Sequence, residues 1–128
     1  MARPKHEHPT PAELEILQVL WERGPATVRQ VMDAMPDKPR AYTSVMSLMN
    51  VMYDKGLLSR EPLGKAFVYS ARVKREATLG EMLGDLVQRA FDGSASALVA
   101  RLLEKTSREE LDEIRRTLDA YRRQKGGL

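Results

Sequence analysis

The sequence predicts a mainly α-helical protein with one small β-hairpin, followed by a helical C-terminal region. Three observations favour this fold class. Amphipathic segments with helix-capping residues dominate the chain, and only one pair of short strand-like runs is present. Aromatic residues make up only 5% of the chain and charged residues 30%, which favours helices over a β-sandwich or barrel. A length of 128 residues suits one small domain with an appendage.

The composition excludes several classes of protein. The net charge of +3, from 21 basic and 18 acidic residues, is too small to indicate nucleic-acid binding by itself. Because there is no cysteine, disulfides, thiolate chemistry and cysteine-based metal sites are excluded. No apolar stretch approaches the length of a membrane span, and the N-terminal residues lack a signal-peptide core. We therefore expect a soluble cytoplasmic protein without membrane insertion.

Two capping boxes begin the first two helices. The box at residues 10–13, with proline at the first helical position, predicts a helix that runs to about Arg23. The box at residues 27–30 predicts a second, short helix, which a turn at residues 36–39 follows. Residues 1–9 are polar and are expected to form a disordered tail. The side chains of the first helix that we expect in the core are Leu14, Leu17, Leu20 and Trp21.

The third helix, predicted over residues 40–55, has one apolar and one polar face. Its apolar residues, spaced as on one side of a helix, are Val45, Leu48, Met49 and Met52. Opposite them lie the short polar side chains of Thr43, Ser44, Ser47 and Asn50. Gly56 then stands in the position favoured for a left-handed helix cap.

A β-hairpin is predicted directly after this helix. Strand-like runs at residues 57–61 and 67–71 are joined by a Pro–Leu–Gly–Lys turn. Two short capped helices joined by a tight turn, followed by a basic hairpin, have the layout of a winged helix-turn-helix. In that fold one helix enters the DNA major groove, and the hairpin, or wing, reaches the backbone beside it. We therefore predict a winged-helix DNA-binding domain over residues 10–72.

The polar face of the third helix and the cations near it are the candidates for DNA contact. Short side chains let the helix approach the groove floor, and their hydroxyls and amides can bond base edges or phosphates. Asn50 has the greatest discriminating power, because a side-chain amide can bond adenine twice. The candidates for base contact are Thr43, Ser44, Ser47 and Asn50. The candidates for backbone contact are Arg29, Lys38, Arg40, Tyr42, Arg60 and Lys65.

Residues 73–128 show no strand signal and are predicted to form further amphipathic helices. A break at residues 92–94 separates the first two, and a capping box at residues 107–110 begins the last. These helices carry more apolar surface than they can bury on one another, which usually marks an interface. We expect a helical dimerisation region; the alternative is that the helices fold back on the head of a monomer. The interface candidates are Leu79, Leu83, Leu86, Leu98, Leu102, Leu111, Ile114, Leu118 and Tyr121.

No group of residues supports catalysis, and we expect neither an enzyme nor a bound cofactor. The chain contains no phosphate-binding glycine loop and no pattern of a hydrolase or metalloprotease site. His6 and His8 flank Glu7 near the N-terminus, but without any other histidine the ligand set of a metal site is incomplete. We therefore predict no metal site.

The sequence resembles the penicillinase-repressor and methicillin-resistance-repressor family of bacterial winged-helix regulators. The resemblance covers residues 10–121, and the order and spacing of its motifs are together fairly specific. The motifs are T-x-A-E-x-x-I-L-x-x-L-W at residues 10–21, T-V-R-x-V at 27–31, A-Y-T-S-V-M-S-L-M at 41–49, K-G-L-L-x-R-E at 55–61 and G-K-A-F-V-Y at 64–69.

The resemblance implies a homodimer that binds a double-stranded operator with dyad symmetry and represses genes for β-lactam resistance or a related stress. In the family, a membrane sensor-protease often relieves repression by cutting the C-terminal region, which would remove the avidity of the paired heads. Staphylococcal members are cut at an Asn–Phe bond where this chain has Arg101 and Leu102, so the sequence does not support such cleavage. Val51 stands where many relatives place an arginine near the end of the recognition helix. The copper-responsive branch of the family carries a cysteine-rich tail, and because this chain has no cysteine, we do not expect copper sensing by that route.

The alternative function is a winged-helix module that binds protein and has no sequence-selective DNA binding. It would explain the modest net charge and the apolar Val51. In this alternative the C-terminal helices would hold the partner, through Leu111, Ile114, Leu118 and Tyr121.

Overall fold

The protein is described by a computed structural model that covers residues 8–35 and 40–126, and the predicted fold class is confirmed. The elements in chain order are α1 (Pro11–Arg23), α2 (Val28–Ala34), α3 (Tyr42–Lys55), β1 (Leu58–Leu63), β2 (Ala66–Ala71), α4 (Arg75–Ala90), α5 (Ala95–Leu103) and α6 (Arg108–Gly126). The predicted turn at residues 36–39, with Lys38, lies outside the described residues, as does the predicted tail up to residue 7. The described chain divides into two compact units between Met82 and Leu83, later than the predicted boundary after residue 72.

Both predicted capping boxes at the start of the molecule form. The Thr10 hydroxyl accepts from the backbone N–H of Glu13 at 3.2 Å, and the Glu13 carboxylate accepts from the Thr10 N–H at 2.9 Å. Thr27 and Gln30 make the same two bonds at 3.2 and 3.0 Å. Each box satisfies two backbone groups, one of them an N–H that the first helical turn leaves without an intrahelical partner, so α1 and α2 begin where predicted.

Helix α3 begins later than the predicted residue 40 and ends as predicted. Its N-cap is Ala41, which makes no side-chain capping bond, so no local signal marked this start. At the other end Gly56 adopts φ 86° and ψ 10°, the left-handed conformation that glycine tolerates best. Its N–H donates to the carbonyl of Tyr53 at 3.0 Å, and the chain then enters β1.

The hairpin strands are longer than predicted and their turn is tighter. The strands pair antiparallel with Leu63 opposite Ala66, so only Gly64 and Lys65 form the loop. Gly64 has φ 61°, and a glycine with positive φ at the first position of such a loop is typical of a type II′ turn. Pro62, which we expected in the turn, lies in β1, because an edge strand tolerates a residue without an N–H.

A single residue between α1 and α2 extends the sheet. The Ala26 N–H donates to the Tyr69 carbonyl at 3.0 Å, and the Tyr69 N–H donates to the Ala26 carbonyl at 2.8 Å. One residue carries no alternating pattern, so the sequence did not reveal this bridge. The bridge fixes the hairpin to the segment from which α2 begins.

The core of the first unit lies between the first three helices and the hairpin. Its apolar residues that are no more than 1% exposed are Ile16, Leu17, Ala26, Val31, Val45, Met49, Met52 and Leu58. The prediction for α1 was wrong in part: Ile16 and Val19 are buried, whereas Leu14 and Trp21 are half-buried. The Trp21 indole N–H donates to the Val73 carbonyl at 2.9 Å, so this ring lies where its polar edge can find a partner.

The second unit contains the end of α4 followed by α5 and α6. The predicted break at residues 92–94 is confirmed, since Asp92 and Gly93 have φ values of 50° and 79°. The Ser94 hydroxyl then caps α5 by accepting from the Ala97 N–H at 3.0 Å, and Ser107 caps α6 in the same way. Among the described helices, none combines the length and the apolar character needed to cross a lipid bilayer.

Candidate nucleic-acid interface

Helix α3 buries one side and exposes the other. Val45, Met49 and Met52 are buried, and the helical period places the short polar side chains on the opposite side. Thr43, Ser44 and Ser47 are all exposed there. Larger side chains that are also exposed on this helix are Tyr42, Met46, Val51 and Tyr53.

One concave surface follows one side of α3 and encloses about 550 Å³. Its hydroxyl groups come from Thr43, Ser44 and Ser47, and its charge comes from Arg40. The remaining side chains of this surface are apolar. Val51 is the most exposed of them and lies one helical turn beyond Ser47. Three of the predicted base-contact residues therefore share one surface, where hydroxyls can bond base edges and methyl groups can meet a thymine methyl.

Arg40, at the edge of this surface and just before α3, forms an ion pair with a residue of α1. Its guanidinium donates to the Glu15 carboxylate of α1 at 2.7 Å, and about a third of each side chain is accessible. The sequence did not predict this pair, because the residues are distant in the chain. Partly exposed ion pairs contribute little to stability, so this pair can be broken at small cost.

A second concave surface, of about 340 Å³, lies between the start of α2, α3 and the hairpin. Three predicted backbone-contact residues line it, namely Arg29, Tyr42 and Lys65. The Arg29 guanidinium lies 5.2 Å from the centre of the Tyr42 ring, within the range of a cation–π contact. Candidates from separate elements are thus brought to one surface that carries two cations.

Asn50 of α3 bonds two residues of the hairpin and therefore already has partners within the protein. Its side-chain oxygen accepts from the Arg60 guanidinium at 3.1 Å and from the Tyr69 hydroxyl at 3.2 Å. A carbonyl oxygen has two lone pairs, so both acceptor positions are occupied. The paired contact with adenine that we predicted from sequence needs this oxygen as an acceptor, so it would have to replace one of these bonds.

Arg60, predicted to contact the DNA backbone, makes cation–π contacts with two aromatic rings. Its guanidinium carbon lies 4.0 Å from the centre of the Tyr53 ring and 4.3 Å from that of Phe67. Neither aromatic partner was predicted from the sequence. The available signal was the spacing of Phe67 and Tyr69, which puts two rings on one face of β2, where Tyr69 is opposite Arg60.

No metal site is formed by the described part of the chain. Within residues 8–35 and 40–126, no cluster of three or more histidine or carboxylate side chains could hold an ion. His6 and Glu7 lie outside these ranges.

The fold is that of a winged helix. The family model described as "Penicillinase repressor" matches residues 9–120, and the chain therefore belongs to the penicillinase repressor family. It is accordingly a DNA-binding transcriptional repressor. This confirms the family resemblance seen in the sequence motifs.

Among solved structures, the protein is similar to the transcriptional regulator Tm0710 from Thermotoga maritima. The two are 21% identical and superpose with a TM-score of 0.50, over 92% of this chain and 75% of that chain. At this identity the likeness supports the fold alone. No curated protein sequence matches the chain.

Proposed function

We propose that the protein is a homodimeric repressor that places one winged head on each half of a dyad-symmetric operator. The observation that carries this proposal is the surface of α3. Its exposed hydroxyl residues lie in a concave surface bordered by Arg40, and a second surface beside the same helix carries Arg29 and Lys65. A polar helix face between cationic borders suits a helix that reads bases while its neighbours bond phosphates.

In this arrangement Thr43, Ser44 and Ser47 read base edges in the major groove. The contacts with the DNA backbone come from Arg29, Arg40, Tyr42 and Lys65, with Lys38 as a further candidate outside the described residues. Val51 adds a methyl surface instead of the arginine found in many relatives, so apolar contact takes the place of one phosphate contact. Affinity then depends on counterion release and falls steeply with salt.

The exposed apolar residues of the C-terminal helices are the argument for a dimer. Across Ala95–Leu103 and Arg108–Gly126, no residue is buried in the single chain. In the second unit, the predicted interface residues that are exposed are Leu83, Leu86, Leu102, Leu111, Leu118 and Tyr121, whereas Leu98 and Ile114 are half-buried. Leu79, also half-buried, belongs to the first unit. An apolar stripe on an otherwise charged helix such as α6 is typical of a helix that packs against a partner helix.

Selection of genomic DNA tests this function directly. The full-length protein is incubated with sheared DNA of its source organism across a salt series, and the retained fragments are sequenced. Enrichment of a few promoter fragments that share an inverted repeat is expected, and neighbouring β-lactam resistance or stress genes would identify the regulated response. Weak and uniform retention that disappears with salt would contradict the proposal and favour the protein-binding alternative.

A further inference from the structure

Asn50 joins α3 to both strands of the hairpin. Arg60 and Tyr69 are opposite each other in the strand register, so their side chains project from the same face of the sheet. Both donate to the one side-chain oxygen of Asn50, over 3.1 and 3.2 Å. Tyr69 is 2% exposed and its backbone also bridges to Ala26, so this anchor belongs to the core.

The Arg60 guanidinium is held by two aromatic contacts and one hydrogen bond. Its central carbon lies 4.0 Å from the centre of the Tyr53 ring and 4.3 Å from that of Phe67, and Asn50 accepts from one of its N–H groups. A guanidinium is a planar fork with five N–H donors, of which this bond uses one. The N–H donors that Asn50 does not use lie in the plane of the fork, so an anionic oxygen can bond them from that direction. Because the side chain is already ordered, little conformational entropy remains to be lost when it binds.

We infer that Asn50 is a positioning residue that acts through Arg60, and that Arg60 bonds a backbone phosphate beside α3. This inference rests on the proposed function, because it requires α3 to lie in the major groove. Asn50 has no acceptor position left for adenine, whereas Arg60 retains donors in a geometry that matches a phosphate. The sequence predicted that Asn50 contacts a base directly. In this inference Asn50 instead raises the affinity for all DNA sequences alike, because it positions a residue that bonds a phosphate.

The two roles give different results in a double-mutant cycle. The full-length protein, Asn50→Ala, Arg60→Ala and the double variant are titrated with the selected operator and with its single-base-pair variants. If Asn50 acts through Arg60, each single substitution weakens binding to all sequences by roughly tenfold. The double variant then binds no more weakly than Arg60→Ala alone, because contacts that act as one unit are not additive. Arg60→Ala also lowers the slope of log affinity against log salt by about 0.9.

The conservative variant Asn50→Asp separates positioning from base reading, and also covers the case in which Asn50→Ala does not fold. A carboxylate keeps both acceptor bonds but has no amide donor. We expect Asn50→Asp to preserve the base preference while its charge weakens binding to all sequences. A base-reading residue would instead change its preferred base pair, since a carboxylate accepts from cytosine.

Ser47→Ala is the matched control on the same helix. It should relax the preference at one base pair, and its effect should be additive in free energy with that of Arg60→Ala, because Ser47 is not among the contact partners of Arg60, which are Asn50, Tyr53 and Phe67. The inference is overturned if Asn50→Ala relaxes one base preference or keeps its full effect in the Arg60→Ala background. If the wild-type protein does not distinguish its operator from other DNA, the proposed function fails and this inference fails with it.

Discussion

Lys55, the last residue of α3, donates to both carboxylate oxygens of Glu13 at the start of α1, over 2.9 and 3.0 Å. The Glu13 side chain is 2% accessible and that of Lys55 is 10% accessible. The same carboxylate also accepts from the Thr10 N–H to complete the capping box. One side chain therefore both begins α1 and anchors the end of α3, immediately before Gly56 turns the chain into the hairpin.

Removing this carboxylate should destabilise the protein strongly. In Glu13→Ala the buried Lys55 ammonium loses the carboxylate to which it donates two hydrogen bonds, and α1 loses half of its capping box, so we expect the free energy of unfolding to fall by about 3–5 kcal/mol. The matched control is Glu15→Ala, which breaks the partly exposed pair with Arg40 and should cost less than about 1 kcal/mol. Urea denaturation at one fixed protein concentration measures both. Equal losses of unfolding free energy in the two variants would show that the buried pair contributes no more to stability than the partly exposed one.

Two glycine substitutions should change stability in opposite directions. An added Cβ meets no atom within 4 Å at Gly56 or at Gly80, so only backbone conformation decides the effect. Gly56 has φ 86°, and Gly56→Ala should therefore destabilise the protein by about 1–2 kcal/mol. Gly80 lies within α4, and Gly80→Ala should stabilise it by about 0.5–1 kcal/mol. Thermal unfolding followed by circular dichroism checks both signs; a neutral Gly56→Ala would argue against the left-handed cap.

The sequence was sufficient for several features that depend on residues close together in the chain. The capping boxes at Thr10 and Thr27, the cap at Gly56 and the polar face of α3 were all predictable, because each involves residues within one or two helical turns. The Ala26 bridge was not, because a single residue carries no periodic pattern.

The same distinction divides the candidate site. The hydroxyl residues of α3 were identified from helical spacing alone. The partners of Asn50 could not be, because Arg60 and Tyr69 come within reach only once the hairpin register and its packing on α3 are fixed. For the same reason only one of the two roles of Glu13 was predictable. Its capping bond is local, whereas its ion pair with Lys55 depends on how α1 packs against α3.

Phosphate contact and base contact should respond differently to mutation. Lys65 lies in the exposed hairpin loop, so Lys65→Ala should weaken binding to all DNA sequences alike and lower the salt slope by about 1. Ser47 is exposed on α3, so Ser47→Ala should relax the preference at one base pair and leave the salt slope unchanged. Fluorescence anisotropy with the selected operator and its point variants, at several salt concentrations, separates the two effects. Identical behaviour of the two variants would contradict the assignment of roles.

A charge on the apolar stripe of α6 should dissociate the proposed dimer. Leu118 is 55% exposed in the single chain, on the stripe that also contains Leu111 and Tyr121. Leu118→Asp would bury a carboxylate without a partner in the interface, which is costly, so we expect a monomer at micromolar concentration. The control is Arg116→Asp, which places the same side chain about 200° around the same helix, on its charged face. Sedimentation equilibrium measures the oligomeric state of each.

The DNA affinities of these variants connect the helices to repression. A monomer keeps its winged head, so Leu118→Asp should bind a single half-site as tightly as the wild-type protein does. On the full operator it should lose the avidity of two linked heads, a factor of about 10²–10⁴. Arg116→Asp should remain dimeric and lose little on the full operator. If Leu118→Asp stays dimeric, or if Arg116→Asp dissociates equally, the stripe on α6 is not the surface that joins the two subunits.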